Sequence, residues 1–179
     1  MSKILLLSAG TRPESKNNKA ADIVNSYLGE LDISCNLYDD FYENVPFLRD
    51  YNDEQPEYVI KVRDDLIETS KIIIFSPVFN GGHVSHLKNL LDWLSISFDN
   101  YSYNELFKDK DVAIISSVDG KGNNAKNAFD LLGAQLSNYG LNVYENFYLF
   151  NEEHKVDDLL TNDSKSKDFY SYIESFLRS

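Results

Sequence analysis

Three short segments constrain the fold of this chain more than any other feature. Lys3–Ser8 (KILLLS), Lys71–Ser76 (KIIIFS) and Asp111–Ser117 (DVAIISS) are apolar at almost every position between polar ends. A strand with one wet face alternates in polarity, so a run without alternation marks burial on both faces, as in the middle of a parallel sheet. Two further runs do alternate. Ile33, Cys35 and Leu37 are separated by Ser34 and Asn36, and Leu141, Val143, Phe147 and Leu149 by Asn142, Tyr144, Asn146 and Tyr148. These suit strands at the sheet edges, where cover is less complete.

Helical spacing fills the intervals. Ala20, Ile23, Val24, Tyr27 and Leu31 form one stripe, and Val59, Val62 and Leu66 a second. Leu87, Leu90, Leu91 and Leu94 form a third, and Ala125, Ala128, Phe129, Leu132 and Leu136 a fourth, with Gly140 placed as its C-terminal cap. Phe169, Ile173, Phe176 and Leu177 make a closing helix, and the polar segment 151–168 reads as a solvated loop with a short helical turn. Strict alternation of strand and helix calls for helices on both faces of a parallel sheet. Right-handed crossovers with the alternating strands at the edges place the strands in order 2-1-3-4-5. The expectation is a single domain over residues 1–179: a flavodoxin-like three-layer αβα sandwich on a five-stranded parallel sheet. Its ligand crevice lies beyond the carboxyl ends of the central strands, where the winding reverses.

Composition narrows the function. The formal charge of −12 argues against nucleic acid as a partner. No run of eighteen apolar residues occurs, and MSKILLLSAG is too short for a signal peptide, so no membrane partner and a cytoplasmic location are expected. The single cysteine, Cys35, agrees with a reducing compartment and reads as a small buried side chain on a strand.

Each central strand ends in serine and then breaks into a polar loop with glycine: SAGTRPESKNN, SPVFNGGHVS and SSVDGKGNN. The topology brings all three to one edge of the sheet, which points to a ligand site. In the first, Arg12, Ser15 and Asn17 put a cation, a hydroxyl and an amide around a helix N-terminus, where open N–H groups favour a phosphate. The same residues also read more plainly, with Ser15 as an N-cap and Arg12 as a surface charge. A nucleotide P-loop is excluded, because GTRPESKN lacks its second glycine and its terminal Ser/Thr. In the second loop, Pro77 stiffens the strand exit, Gly81 and Gly82 allow close backbone approach, and Asn80 offers a donor and an acceptor. A turn needing positive φ would explain the glycines but, on this reading, not Asn80.

PVFNGG followed by LKNLLDWLS resembles the PEYNGS…LKNxxDW signature of the NADPH-dependent FMN reductase family, which includes quinone, azo-dye and chromate reductases. SAGTRPESKN resembles that family's SGSxRxxSxN phosphate loop, with Arg12, Ser15 and Asn17 in register. The resemblance implies FMN as cofactor and NADPH or NADH as co-substrate. It implies that Arg12, Ser15 and Asn17 hold the phosphate, that Pro77, Val78, Phe79, Asn80 and Gly81 meet the isoalloxazine, and that Ser116, Asp119 and Gly120 close its other side. No side chain is then catalytic, since the flavin carries the chemistry. It further implies a small-molecule electron acceptor and a homodimer or homotetramer, in keeping with the apolar helix Leu87–Ser95. Val78 stands where the family has glutamate, Phe79 for tyrosine, Gly82 for serine, and Val84-Ser85 for proline-glycine. The alternatives are a flavodoxin-like FMN carrier without nicotinamide activity, and a member that has lost FMN. His83 and His86 lie three apart without a third ligand at recognisable spacing and read as non-ligands. Trp93 reads as packing, and Lys88 and Asp92 as a pair across one helix turn.

Overall fold

The computed structural model describes residues 3–179; Met1 and Ser2, the first residues of the expected domain, lie outside the described residues. In chain order, β1 is Lys3–Ser8, α1 Lys16–Glu30, β2 Cys35–Tyr38, α2 Phe41–Asn44, α3 Glu57–Ile67 and β3 Thr69–Phe75. Then come α4 Ser85–Ser95, β4 Asp111–Ser117, α5 Ala125–Asn138, β5 Asn142–Val143, β6 Tyr148–Phe150 and α6 Asp163–Arg178. The sheet is parallel in order β2-β1-β3-β4-β5, with β6 also paired to β4.

The doubly buried strands account for the layers. Leu5, Leu7, Ile72, Ile74, Val112 and Ile114 point into a core shared with α3, α4 and α5. Their neighbours Ile4, Leu6, Ile73, Phe75, Ala113 and Ile115 point into a second core with α1 and α6. Alternate residues of one strand face opposite ways, so an apolar run is what two covered faces require. Gly140 caps α5 as expected. It sits at φ 97°, and Leu141 and Gly140 donate back to the carbonyls of Leu136 and Ser137, the paired bonds of a Schellman motif.

Four details depart from the sequence expectation. The fifth strand arrives in two pieces: Val112 pairs with Val143 but Ile115 with Tyr148, so the register slips by two residues and 145–147 leave the ladder. Phe147, released there, stacks on Phe129 with ring centroids 3.9 Å apart. Leu31 caps the C-terminus of α1 in the open, and Leu28 takes its place in the core. The segment 151–168 carries a 3₁₀ turn, Val156–Leu160, that buries Val156 and Leu159, and α6 starts within it behind an Asn162 cap. The surplus apolar face of α4 is covered from within the chain. Trp93 is buried there, with its indole N–H donating to the Pro46 carbonyl at 2.7 Å, and Asn89 binds the same carbonyl.

Candidate functional site

The loops after β1, β3 and β4 lie side by side because those strands are neighbours in the sheet. Backbone bonds carry the pairing past the strand ends, from Ala9 N–H to the Phe75 carbonyl at 2.8 Å and from Ser76 N–H to the Ile115 carbonyl at 2.9 Å. The three loops therefore diverge from a common, fixed edge.

The first loop is shaped around Gly10. A Cβ there would lie 2.0 Å from Ser15 Oγ and 2.1 Å from Asn18 Oδ1, so both side chains occupy the space that only glycine leaves free. Ser15 is the N-cap of α1, accepting from Asn18 N–H at 3.1 Å. Its own hydroxyl proton remains available to donate. Asn18 is buried; it accepts from Ser8 Oγ at 2.7 Å and donates to the Arg12 carbonyl at 3.2 Å, holding the loop onto the helix. The N–H groups of Lys16 and Asn17 stay open in the first turn, as helix geometry dictates. The Arg12 side chain is well exposed and lies 3.8 Å from the Glu14 carboxylate. Asn17 corrects one expectation. Its side chain is buried and committed to Ser117, accepting from that N–H at 3.0 Å and donating to that carbonyl at 3.4 Å. It ties α1 to β4.

The second loop is a tight hairpin. Phe79 and Gly82 exchange N–H···O bonds of 2.9 and 3.0 Å, with Asn80 and Gly81 between them at φ 53° and 77°. Positive φ at both central residues is the type I′ turn, for which Asn-Gly is the preferred pair. The turn thus explains Asn80 as fully as the glycine, because asparagine tolerates the left-handed region better than other side chains. Phe79 presents its ring to solvent at 56% exposure, while Pro77 and Val78 are half-buried. The Gly81 carbonyl accepts from Asn127 Nδ2 of α5 at 2.7 Å.

The third loop is held from several sides. Ser116 is buried and its hydroxyl donates to the Ser76 carbonyl at 2.6 Å, so it braces β4 against β3 rather than offering a free hydroxyl. Val118 N–H donates to the Phe150 carbonyl, and the Gly120 carbonyl accepts from Glu152 N–H. Asp119 pairs with Lys16 of α1, which holds its carboxyl below the usual carboxylate range. Gly120 faces open space, with no atom within 4 Å of where a Cβ would stand.

His86 donates from Nε2 to the Ala9 carbonyl at 2.9 Å and so pins the first loop from α4. Burial holds its pKa below the ordinary 6.5, with that hydrogen bond opposing the shift in part. Asn18, His86 and Asn127 are the residues that sequence reasoning missed. Asn18 was visible only as the second asparagine of KNN, and no local pattern marks Asn127 at all. Among the described residues, no group of three or more His, Cys, Asp or Glu could hold a metal ion. No helix there is long and apolar enough to cross a membrane.

The profile of NADPH-dependent FMN reductase matches residues 2–155. No curated protein matches the sequence significantly. Among solved structures, the flavoenzyme NAD(P)H:(acceptor) oxidoreductase FerB from Paracoccus denitrificans superposes with a TM-score of 0.79 at 18% identity, over 99% of this chain and 96% of that one. The NADH:FMN oxidoreductase EMOB in its apo form gives 0.72 at 14% identity, over 98% and 88%. The NAD(P)H:quinone oxidoreductase from Methanothermobacter marburgensis gives 0.68 at 12%, over 98% and 94%. At these identities the structural likeness speaks for the flavodoxin-like fold. The profile covers most of the chain, and with it the first two loops and their helices: this chain belongs to the NADPH-dependent FMN reductase family, flavin oxidoreductases that use FMN as cofactor and NAD(P)H as electron donor.

Proposed function

We propose that this protein passes electrons from NADPH or NADH, by way of FMN, to a small acceptor such as a quinone or a free flavin, in the cytoplasm. One observation carries the reading. A glycine cradle at the mouth of α1 and an Asn-Gly turn at the end of β3 stand on neighbouring strands at one sheet edge. That spacing suits a ligand with a phosphate at one end and a flat ring at the other.

The residues fit FMN in kind. At the phosphate end, the open Lys16 and Asn17 amides, the Ser15 hydroxyl and the Arg12 guanidinium supply donors where a chain of net charge −12 would otherwise repel an anion. At the ring end, Phe79 gives an apolar face. The Phe79 and Gly82 amides are spent on each other, which leaves the central Asn80–Gly81 peptide as the turn's free polar edge. The third loop needs to contribute little beyond shape; Val118 and Asp119 line the far side, and Gly120 faces open space. Bound FMN would supply the redox chemistry, accepting hydride from the nicotinamide and handing electrons on. The protein then needs no general acid or base, only a fixed ring with one accessible face and amide donors aimed at charge that develops on it.

Anaerobic titration with FMN, followed by NADPH and NADH in turn, tests the reading. Yellow protein that bleaches with either nicotinamide supports it. Flavin that is held but not bleached makes the protein an electron carrier, and a protein that takes up no FMN refutes the assignment. We further propose a homo-oligomer that covers Phe47, Tyr51 and Tyr103, which are 69%, 64% and 54% exposed. A light-scattering mass equal to the 20.5 kDa chain would refute that.

A further inference from the structure

The hairpin at the end of β3 is held by more than its own backbone. The peptide joining Gly81 to Gly82 is gripped at both ends: Asn127 Nδ2 donates to its oxygen at 2.7 Å, and its N–H donates to the Phe79 carbonyl at 3.0 Å. In a trans peptide the C=O and N–H point in opposite directions. Two partners on opposite sides therefore fix the plane of this unit, and among the described residues the Asn80–Gly81 peptide beside it has no such anchor. Asn127 belongs to the first turn of α5, which is anchored by Phe129, buried and stacked on Phe147. The bond crosses 46 residues of sequence and joins the second loop to the helix that the third loop leads into. It therefore ties the second loop to the element that follows the third.

We propose that Asn127 is a positioning residue of the flavin site: by holding the Gly81 carbonyl it orients the Asn-Gly turn, so that the free Asn80–Gly81 peptide faces the isoalloxazine. This rests on the proposed seat of FMN over the three loops. Asn127 does not touch the ring; it acts through Gly81. A flat ligand gains most from donors that are already aimed, because no ordering remains to be done on binding.

Asn127→Asp is the discriminating variant. It keeps the shape of the side chain but turns a carboxylate oxygen toward the Gly81 carbonyl, so attraction becomes repulsion. A negative side chain in the first turn of a helix is favourable, so α5 has no reason to unfold. Asn127→Ala removes the donor without adding charge and serves if the first variant is poorly behaved. In apo-protein, the Gly82 amide should exchange with solvent several-fold faster in either variant, while β3 amides keep their rates. FMN should bind about five- to ten-fold more weakly, the worth of roughly one hydrogen bond. The midpoint potential of the bound flavin should fall, and kcat should drop with KM for the nicotinamide nearly unchanged. Wild-type Gly82 exchange, potential and FMN affinity in Asn127→Asp would overturn the proposal, and so would a lower melting temperature with those three unchanged. The seat of FMN is judged separately by Gly81→Val. If that variant loses FMN while Asn127→Asp does not, the seat stands and the role of Asn127 falls. If it binds FMN like the wild type, both fall.

Discussion

Replacing Gly10 by alanine tests the first loop with a single methyl group. Gly10 is not at positive φ, so the backbone accepts alanine without strain and the cost is purely one of space. The new Cβ would stand 2.0 Å from Ser15 Oγ and 2.1 Å from Asn18 Oδ1, and both atoms must leave. When Ser15 rotates away, Asn18 N–H loses its cap, which costs about 1 kcal/mol. When the buried Asn18 oxygen moves, it releases Ser8 Oγ from a 2.7 Å bond inside the fold. An unsatisfied buried hydroxyl costs about 1–3 kcal/mol. Together these give roughly 2–4 kcal/mol, or a fall of about 4–16 °C in Tm for a domain of this size. FMN affinity should fall as well if Ser15 and the first-turn amides form the phosphate end of the site, as proposed. Differential scanning calorimetry of the apo-protein and quenching of free-flavin fluorescence read the two effects separately. Gly120→Ala is the stability control, since its methyl group meets nothing. A Gly10→Ala protein with wild-type Tm would show that Ser15 and Asn18 relocate without cost. Wild-type FMN affinity would remove the phosphate from this loop.

The other predictions address the remaining parts of the site. Arg12→Ala should weaken FMN binding by about 1.5–3 kcal/mol, the range for a charged hydrogen bond, and leave riboflavin binding unchanged; equal losses for both flavins would sink the phosphate assignment. Gly81→Val forces a β-branched residue to φ 77°, at a cost of about 1–3 kcal/mol that the turn escapes only by changing shape. FMN binding should be lost with the circular dichroism of the fold retained, whereas Asn80→Ala should keep FMN with an altered spectrum. Stability should also depend on acidity near neutrality. His83, His86 and His154 are each held below the ordinary 6.5, chiefly by burial, so the folded chain binds fewer protons than the unfolded chain once the pH falls below 6.5. Tm should therefore be flat above that value and decline as pH drops toward the folded pKa values. His86→Gln should lessen the decline, and an unchanged slope would count against a neutral His86.

The layer order was legible because a strand buried on both faces cannot hide its composition. KILLLS, KIIIFS and DVAIISS belong in the sheet centre on composition alone, and the edges follow from alternation at 33–37 and 141–149. The break in the last strand was illegible for an equally simple reason. The slip between Val143 and Tyr148 inserts two residues, and a shift of two leaves a period-two pattern unchanged. Val143 and Leu149 still pack toward one core, and Tyr144 and Tyr148 toward the other, so the alternation reads as if the strand were whole.

The site divides along the same line between local and non-local causes. Ser15 as an N-cap, the Asn-Gly turn and the cradle at Gly10 depend on residues within eight positions of one another, and a motif can record them. The partners of Asn17, Ser116 and Asn127 lie 100, 40 and 46 residues away, and no local pattern announces such a pairing. Asn17 shows the consequence most clearly. It sits in register with the phosphate motif, yet its side chain spends both donor and acceptor on the Ser117 backbone. A residue matched to a ligand-binding motif can thus be engaged in holding two segments of the chain together. In that arrangement Asn17, Ser116 and Asn127 tie the loops to one another, and Ser15, Arg12 and the Asn80–Gly81 peptide are the groups proposed to face the cofactor.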